Sequence, residues 1–256
     1  MTDLESTLSE VSQILRDAQN VLFVTGAGVS ADSGIPTYRG ANGLYDGELT
    51  EDGVYIEEAL SASMFETRPE LTWKYKWKIA AACLDAEPNA AHRIIAELES
   101  KKSQVWVITQ NVDGLHRRAG SENLVEMHGH NFDFYCVECA DDFVLGDLDI
   151  DFHKPFQAAP RCPNCDGMIR PDVVLFEEML PEKALQTVRW LNTIDFDMVF
   201  TIGTTAVFPY IQQFVFDAHQ RGIPTVEINP RESEITQLCS HHIQLGAADA
   251  MVRLRT

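Results

Sequence analysis

A continuous apolar run, Val21-Leu22-Phe23-Val24, is followed along the chain by similar short, largely apolar runs at Val105-Trp106-Val107-Ile108, Met198-Val199-Phe200-Thr201-Ile202 and Thr225-Val226-Glu227-Ile228. Runs of this length without polar alternation are expected of strands buried on both faces of a parallel sheet. Helical patterning covers Asn89 to Ser100 and Tyr210 to Arg221, just ahead of the second and fourth runs. Before the first run, Leu4, Leu8, Val11 and Leu15 fall at helical spacing, with Thr2 and Glu5 placed for a capping box. Strand and helix alternating in this way predict an α/β, doubly wound, Rossmann-like parallel sheet.

Two stretches break the rhythm. Residues from about 40 to 87 are mostly helical in pattern after a loop-like start at Gly40-Ala41-Asn42-Gly43. Residues from about 135 to 171 hold four cysteines and several prolines, with few periodic apolar positions. Both read as insertions that together form a smaller domain (40–87 and 135–171). The sheet domain is then discontinuous, over 1–39, 88–134 and 172–256.

The 256 residues, 45% of them hydrophobic, suffice for one sizeable core or for one core with a satellite module. The balance of 20 basic against 39 acidic residues gives a net charge of −19. That charge repels phosphate backbones and anionic lipids, so neither a nucleic-acid nor a membrane partner is expected. It attracts lysine-rich protein segments, although solubility alone would account for it equally well. No apolar run approaches the ~20 residues of a membrane span. The start, Met1-Thr2-Asp3-Leu4-Glu5, lacks the basic-then-apolar order of a signal peptide. A cytoplasmic protein is expected, its six cysteines reduced or bound to metal.

Candidate chemistry falls into three groups. Cys136, Cys139, Cys162 and Cys165 form C-x2-C-x22-C-x2-C, two knuckles that complete a tetrahedral thiolate site for zinc with no open position, hence structural. A redox pair or two disulfides are the alternatives. Cys83 and Cys239 are left over, and Cys83 reads as a small core residue. The turn Gly26-Ala27-Gly28-Val29-Ser30, directly after the first run, lets a backbone approach a pyrophosphate. It departs from G-x-G-x-x-G, because the third glycine is Gly34 and the usual ribose acid about 20 residues on is not evident; Asp46 is near enough in sequence but sits in a loop. Alone it fits a nucleotide site or a tight structural turn. Polar residues follow the apolar runs at Gln110-Asn111-Val112-Asp113, Gly203-Thr204-Thr205 and Asn229-Pro230-Arg231, and a further segment carries His128 and His130 about Gly129. Asn111 or Asp113 singly would serve as a helix cap. Their convergence beyond the carboxyl ends of strands favours a ligand site.

In combination these segments resemble the sirtuins. The matching stretches are GAGVSADSGIPTYRG (Gly26 to Gly40), TQNVDGLH (Thr109 to His116), EMHGH (Glu126 to His130), both cysteine pairs, RPDVVLF (Arg170 to Phe176), GTT (Gly203 to Thr205) and INP (Ile228 to Pro230). The resemblance implies NAD as co-substrate, structural Zn2+, and removal of acyl groups, acetyl first, from lysines of proteins or peptides. Nicotinamide and O-acyl-ADP-ribose are the implied products. Gly26, Ala27, Gly28, Ser30, Tyr38 and Arg39 would hold the pyrophosphate side. Ile35, Asn111 and Asp113 would line the nicotinamide site, and Gln110 would meet the adjacent ribose. Gly203, Thr204, Thr205, Asn229 and Ala247 would take the adenosine half. His128 would be the general base, assisted by Asn111, with His130 structural. Val174, Phe176 and Val207 would clamp the substrate as an added strand. A monomer is expected.

Three departures fall on the substrate side: Thr205 replaces the usual serine, Pro209 comes one residue early, and Glu177 stands where glycine is common. Sirtuins that remove succinyl or malonyl groups carry a Tyr-x-x-Arg pair; Tyr75 and Lys78 have that spacing, out of register and with lysine for arginine. Acidic-acyl removal is therefore an alternative activity, and mono-ADP-ribosyl transfer, which shares the nicotinamide-releasing step, is another.

Overall fold

The structure is a computed structural model that describes residues 2–36 and 49–255. The expected loop at Gly40 to Gly43, and Tyr38, Arg39 and Asp46, lie outside these residues. The strands are β1 (Asn20–Thr25), β2 (Gln104–Thr109), β3 (Leu124–Glu126), β4 (Gly129–Cys136), β5 (Asp142–Val144), β6 (Ile169–Val173), β7 (Met198–Ile202), β8 (Thr225–Ile228) and β9 (His241–Ile243). The helices are α1 (Thr2–Asp17), α2 (Ile56–Ala59), α3 (Ala62–Thr67), α4 (Pro69–Asp85), α5 (Ala90–Glu99), α6 (Leu115–Ala119), α7 (Glu182–Leu191), α8 (Pro209–Gln220) and α9 (Ala247–Leu254).

All four apolar runs are central strands of a six-stranded parallel sheet, in the order β3-β2-β1-β7-β8-β9. Burial on both faces explains why the first three runs are almost wholly apolar; in β8 the buried Glu227 is accommodated by hydrogen bonds from Ser233 and Thr236. Val21 and Phe23 pack with α1, α5 and α9 on one side, where Phe23 stacks on Phe200 with centroids 4.9 Å apart. Leu22 and Val24 pack with α7 and α8 on the other. The edge strands β3 and β9, three residues each, are too short to leave a pattern. From β1 the chain runs outward through β2 and β3, then restarts beside β1 at β7 and runs the other way. The carboxyl ends of β1 and β7 therefore flank a topological switch point, where such sheets bind ligands.

A second, antiparallel sheet has the order β5-β4-β6. Helix α4 closes it: Trp73 is fully buried with Phe134, Cys136 and Ile169, and its indole N–H donates to the Ile169 carbonyl at 2.9 Å. Among the described residues no helix is long and apolar enough to cross a membrane.

Candidate active site

A cavity of about 830 Å3 opens at the carboxyl ends of β1, β2, β7 and β8. Its narrow floor needs glycine. The Gly28 amide donates to the Gly203 carbonyl at 2.8 Å, and a Cβ on Gly28 would stand 2.6 Å from the Gly203 Cα. Past Gly26 the chain turns into a 3-10 helix, Ala27–Ser33, which Gly34 ends at φ 83°. The displaced third glycine thus terminates this helix.

Beneath the floor lies a buried polar network. Ser30 Oγ donates to Asp113 Oδ2 at 2.7 Å, and Asn111 Nδ2 donates to Ser30 Oγ and to the Gly26 carbonyl, each at 3.1 Å. The other carboxylate oxygen of Asp113 accepts the Leu115 amide, the first of α6, at 2.9 Å. Burial raises the Asp113 pKa, opposed by these hydrogen bonds. His92 and His116 meet edge to face deeper in the network, and burial pushes the His92 pKa down to about 4.

His128 sits between β3 and β4, where Gly129 at φ 78° passes so close to β6 that a Cβ would be 2.0 Å from the Asp172 carbonyl oxygen. Its Nδ1 lies 2.8 Å from the Gln110 carbonyl oxygen, and its Nε2 lies 2.8 Å from the Tyr210 hydroxyl. A carbonyl only accepts, so Nδ1 carries the proton and Nε2 holds the lone pair, to which Tyr210 donates. Burial lowers the His128 pKa below its ordinary 6.5, with the Gln110 bond partly opposing. The imidazole is therefore neutral near pH ~7, with the lone pair of a base.

The segment after β6 is held from both sides. The Val174 amide donates to the His128 carbonyl at 2.9 Å, the Phe176 amide to Leu60 at 3.0 Å, and the Ala62 amide to Phe176 at 2.9 Å. Glu177 follows at φ 75°, where glycine is ordinarily favoured. Its carboxylate accepts the Ser63 amide at 3.1 Å, in the first turn of α3, a contact that glycine lacks.

Of the residues singled out from sequence, Gly26, Ala27, Gly28, Gln110, Asn111 and His128 line the cavity, as do Val174, Phe176, Gly203, Thr204, Thr205, Asn229 and Ala247. Ser30 and Asp113 do not reach it; they bond each other below the floor. Ile35 packs against the cluster of Ile56, Leu71 and Tyr75, and Val207 is exposed on the loop before α8. Tyr75 and Lys78 point away from the cavity: Tyr75 donates its hydroxyl to Asp52 at 2.5 Å, and Lys78 pairs with Glu51 at 2.7 Å.

The residue of that helix that does line the cavity is Lys76, 6% exposed, with Ile79 one turn on. Its ammonium donates to Asn131 Oδ1 at 2.7 Å and pairs with no carboxylate among the described residues. Burial pushes its pKa down to about 8. Trp73, Lys76, Ala80 and Cys83 form one buried helical stripe, which in the sequence reads as core and not as a cavity wall. Tyr210 and Phe208 also line the cavity, and nothing in the local pattern marks them.

The cysteine knuckles meet as their spacing requires. The Sγ atoms of Cys136 and Cys165 are 3.5 Å apart, those of Cys139 and Cys162 are 3.7 Å apart, and all four lie within 4.8 Å of one another. A disulfide needs about 2.05 Å. Four sulfurs each about 2.3 Å from a zinc ion are separated by about 3.8 Å, so the set fits structural zinc.

Residues 26–209, a span that includes the glycine floor, His128 and the four cysteines, match the Sir2 family. The chain belongs to the Sir2 family. Among Sir2-family relatives, the NAD-dependent protein deacylase 2 of Pseudomonas aeruginosa is 48% identical over 251 residues, which cover 97% of this chain and 96% of that protein. The NAD-dependent protein deacylase of Pyrococcus furiosus is 40% identical over 248 residues, 96% of each chain. A structure solved for the mechanism and regulation of Sir2 enzymes superimposes with a TM-score of 0.85 at 31% identity, covering 98% of this chain and 97% of that one. A Sir2 protein with a deacetylated p53 peptide and 3'-O-acetyl ADP-ribose gives 0.84 at 29% identity, covering 96% of both.

Proposed function

We propose that this Sir2-family chain removes acyl groups from protein lysines in an NAD-dependent reaction that releases nicotinamide and O-acyl-ADP-ribose. The observation that carries this reading is the neutral His128, its Nε2 lone pair at a cavity on the switch point of the sheet. NAD, when bound, supplies an electrophilic ribose carbon from which nicotinamide departs and which the acyl oxygen attacks.

The residues of the chain divide the remaining work. Gly26, Ala27 and Gly28 let the backbone approach the pyrophosphate, while Gly203, Thr204, Thr205, Asn229 and Ala247 line the part of the cavity that suits the adenosine half. Asn111 faces the nicotinamide carboxamide and is held in place by Ser30, whose hydroxyl Asp113 accepts. Gln110 orients the base through its carbonyl and bonds Thr204 through its amide at 2.9 Å. His128 takes the ribose hydroxyl proton on Nε2. The Val174–Phe176 segment offers one edge to an acyl-lysine peptide, and the loop through Val207 the other. The nucleotide body is 1–39, 88–134 and 172–256, and the small domain with its zinc is 40–87 and 135–171. A cytoplasmic monomer without nucleic-acid or membrane partners fits the charge of −19.

His128→Ala tests this assignment. Deacylation of an acetyl-lysine peptide should fall at least ~100-fold. If ADP-ribose transfer to a protein side chain survived that change and the parent chain never deacylated, the protein would be a mono-ADP-ribosyltransferase.

A second reading of the acyl group is favoured by Lys76. Acetyl is the expected group, but a buried ammonium in a cavity wall with Leu60, Ile79, Val112 and Phe176 suits an acyl chain ending in a carboxylate, such as succinyl. Lys76 then does what was expected of the Tyr75 and Lys78 pair. On succinyl-lysine and butyryl-lysine peptides of one sequence, Lys76→Met should lower the succinyl-to-butyryl ratio of kcat/KM at least ~10-fold. A ratio already below one in the parent chain returns the assignment to neutral acyl groups.

A further inference from the structure

The lone pair that would take the ribose proton is already engaged. Tyr210, in the first turn of α8, brings its hydroxyl to 2.8 Å from His128 Nε2, although it belongs to an element far from β3 and β4 in the chain. The contact is built rather than casual. Tyr210 stacks on Phe208 with centroids 5.7 Å apart at 19°, and both rings stand edge-on to His128, at 6.4 and 6.2 Å. All three side chains line the cavity.

Valence makes the contact exclusive. With Nδ1–H committed to the Gln110 carbonyl, the ring has one in-plane lone pair, and it accepts one strong donor. A ribose hydroxyl can pass its proton to Nε2 only from the place that the Tyr210 hydroxyl holds.

We propose that Tyr210 is a positioning residue that caps His128 in the resting protein, its hydroxyl standing in for the ribose hydroxyl, which must displace it before the base can act. The proposal rests on the nucleotide reading given above. The cap keeps the imidazole in the reactive tautomer and aimed into the cavity while no ligand is present. It also makes ribose binding compete with an internal hydrogen bond. Tyr210 is only partly buried and Pro209 begins the helix, so the phenol can leave without an internal strand being broken. Pro209 starts α8 and sets Tyr210 in its first turn.

The test compares ADP-ribose with ADP, which lacks the second ribose, by calorimetric titration of the parent chain and of Tyr210→Phe. Removing the cap should tighten ADP-ribose binding about 2- to 10-fold, the factor of one neutral hydrogen bond, and leave ADP unchanged. Equal affinity of ADP-ribose for both chains, or weaker binding by Tyr210→Phe, overturns the proposal. A second measurement needs no variant: the 13Cζ resonance of Tyr210 in the parent chain should shift on adding ADP-ribose and stay put with ADP, and a resonance unmoved by ADP-ribose also overturns it. If ADP-ribose fails to bind either chain, the nucleotide reading itself falls, an outcome distinct from equal binding.

Discussion

At the scale of single residues, the site is governed by which side chains are kept neutral and which remain charged. Burial lowers the His128 pKa, and the Gln110 carbonyl fixes its tautomer. The protonated, inactive form therefore appears only below the ordinary histidine value of 6.5. The acid limb of kcat/KM should have its midpoint below that value, measured with NAD and acyl peptide both well below their KM. A midpoint at or above it would assign the limb to another group. His128 was legible in the sequence because a glycine stood beside it and the motif around it matched a family. Lys76 and Tyr210 were not. Lys76 hides in a helical stripe that reads as core, and Tyr210 reaches the base through space from α8, a relation that spacing along the chain does not encode.

At the scale of elements, backbone clearance decides more than side-chain choice. Gly129 joins His128 to the small sheet at a positive φ, with the Asp172 carbonyl where a Cβ would stand. Gly129→Ala should cost more than ~2 kcal/mol of stability and displace His128, lowering kcat beyond the effect on folding. Urea unfolding together with turnover of the folded fraction checks this, and a variant of parent stability would show that the turn has slack. Glu177 has the opposite character, a strained residue whose carboxylate is repaid by the Ser63 amide. The four central strands were visible because both faces are buried, which leaves short, mostly apolar runs. β3 and β9 were too short to register, and β4 to β6 lie among cysteines, prolines and polar residues that mask their alternation.

At the scale of the whole molecule, two halves meet over one cavity, and each carries a separate stability device. The cysteine module depends on its metal. One zinc per chain should be found by elemental analysis, and chelation should lower the melting temperature and abolish activity, because the module folds with its metal. The sheet half depends on histidines buried neutral. His92 has a folded pKa of about 4 against 6.5 when exposed. Its contribution is complete above the exposed value, declines as pH falls between the two, and is constant below the lower one. The chain should therefore lose about 2 kcal/mol from this group by about pH 5. Urea midpoints of the parent and of His92→Gln should show the smaller decline in the variant, and parallel declines would remove His92 from the account. The doubly wound sheet, the metal module and the glycine and strand-end segments of the cavity lining were foreseeable at this scale. How helix α4 and the small sheet come together was not, because that packing follows from tertiary contacts such as that of Trp73 with Ile169, which spacing along the chain does not encode.

The central claim, NAD-dependent deacylation of lysine, is tested most directly by mass spectrometry of an acyl-lysine peptide incubated with the chain, with and without NAD. The account predicts loss of the acyl group only with NAD, and release of nicotinamide and O-acyl-ADP-ribose in equal amounts. Loss of the acyl group without NAD, or its release as the free acid while NAD remains intact, would contradict it.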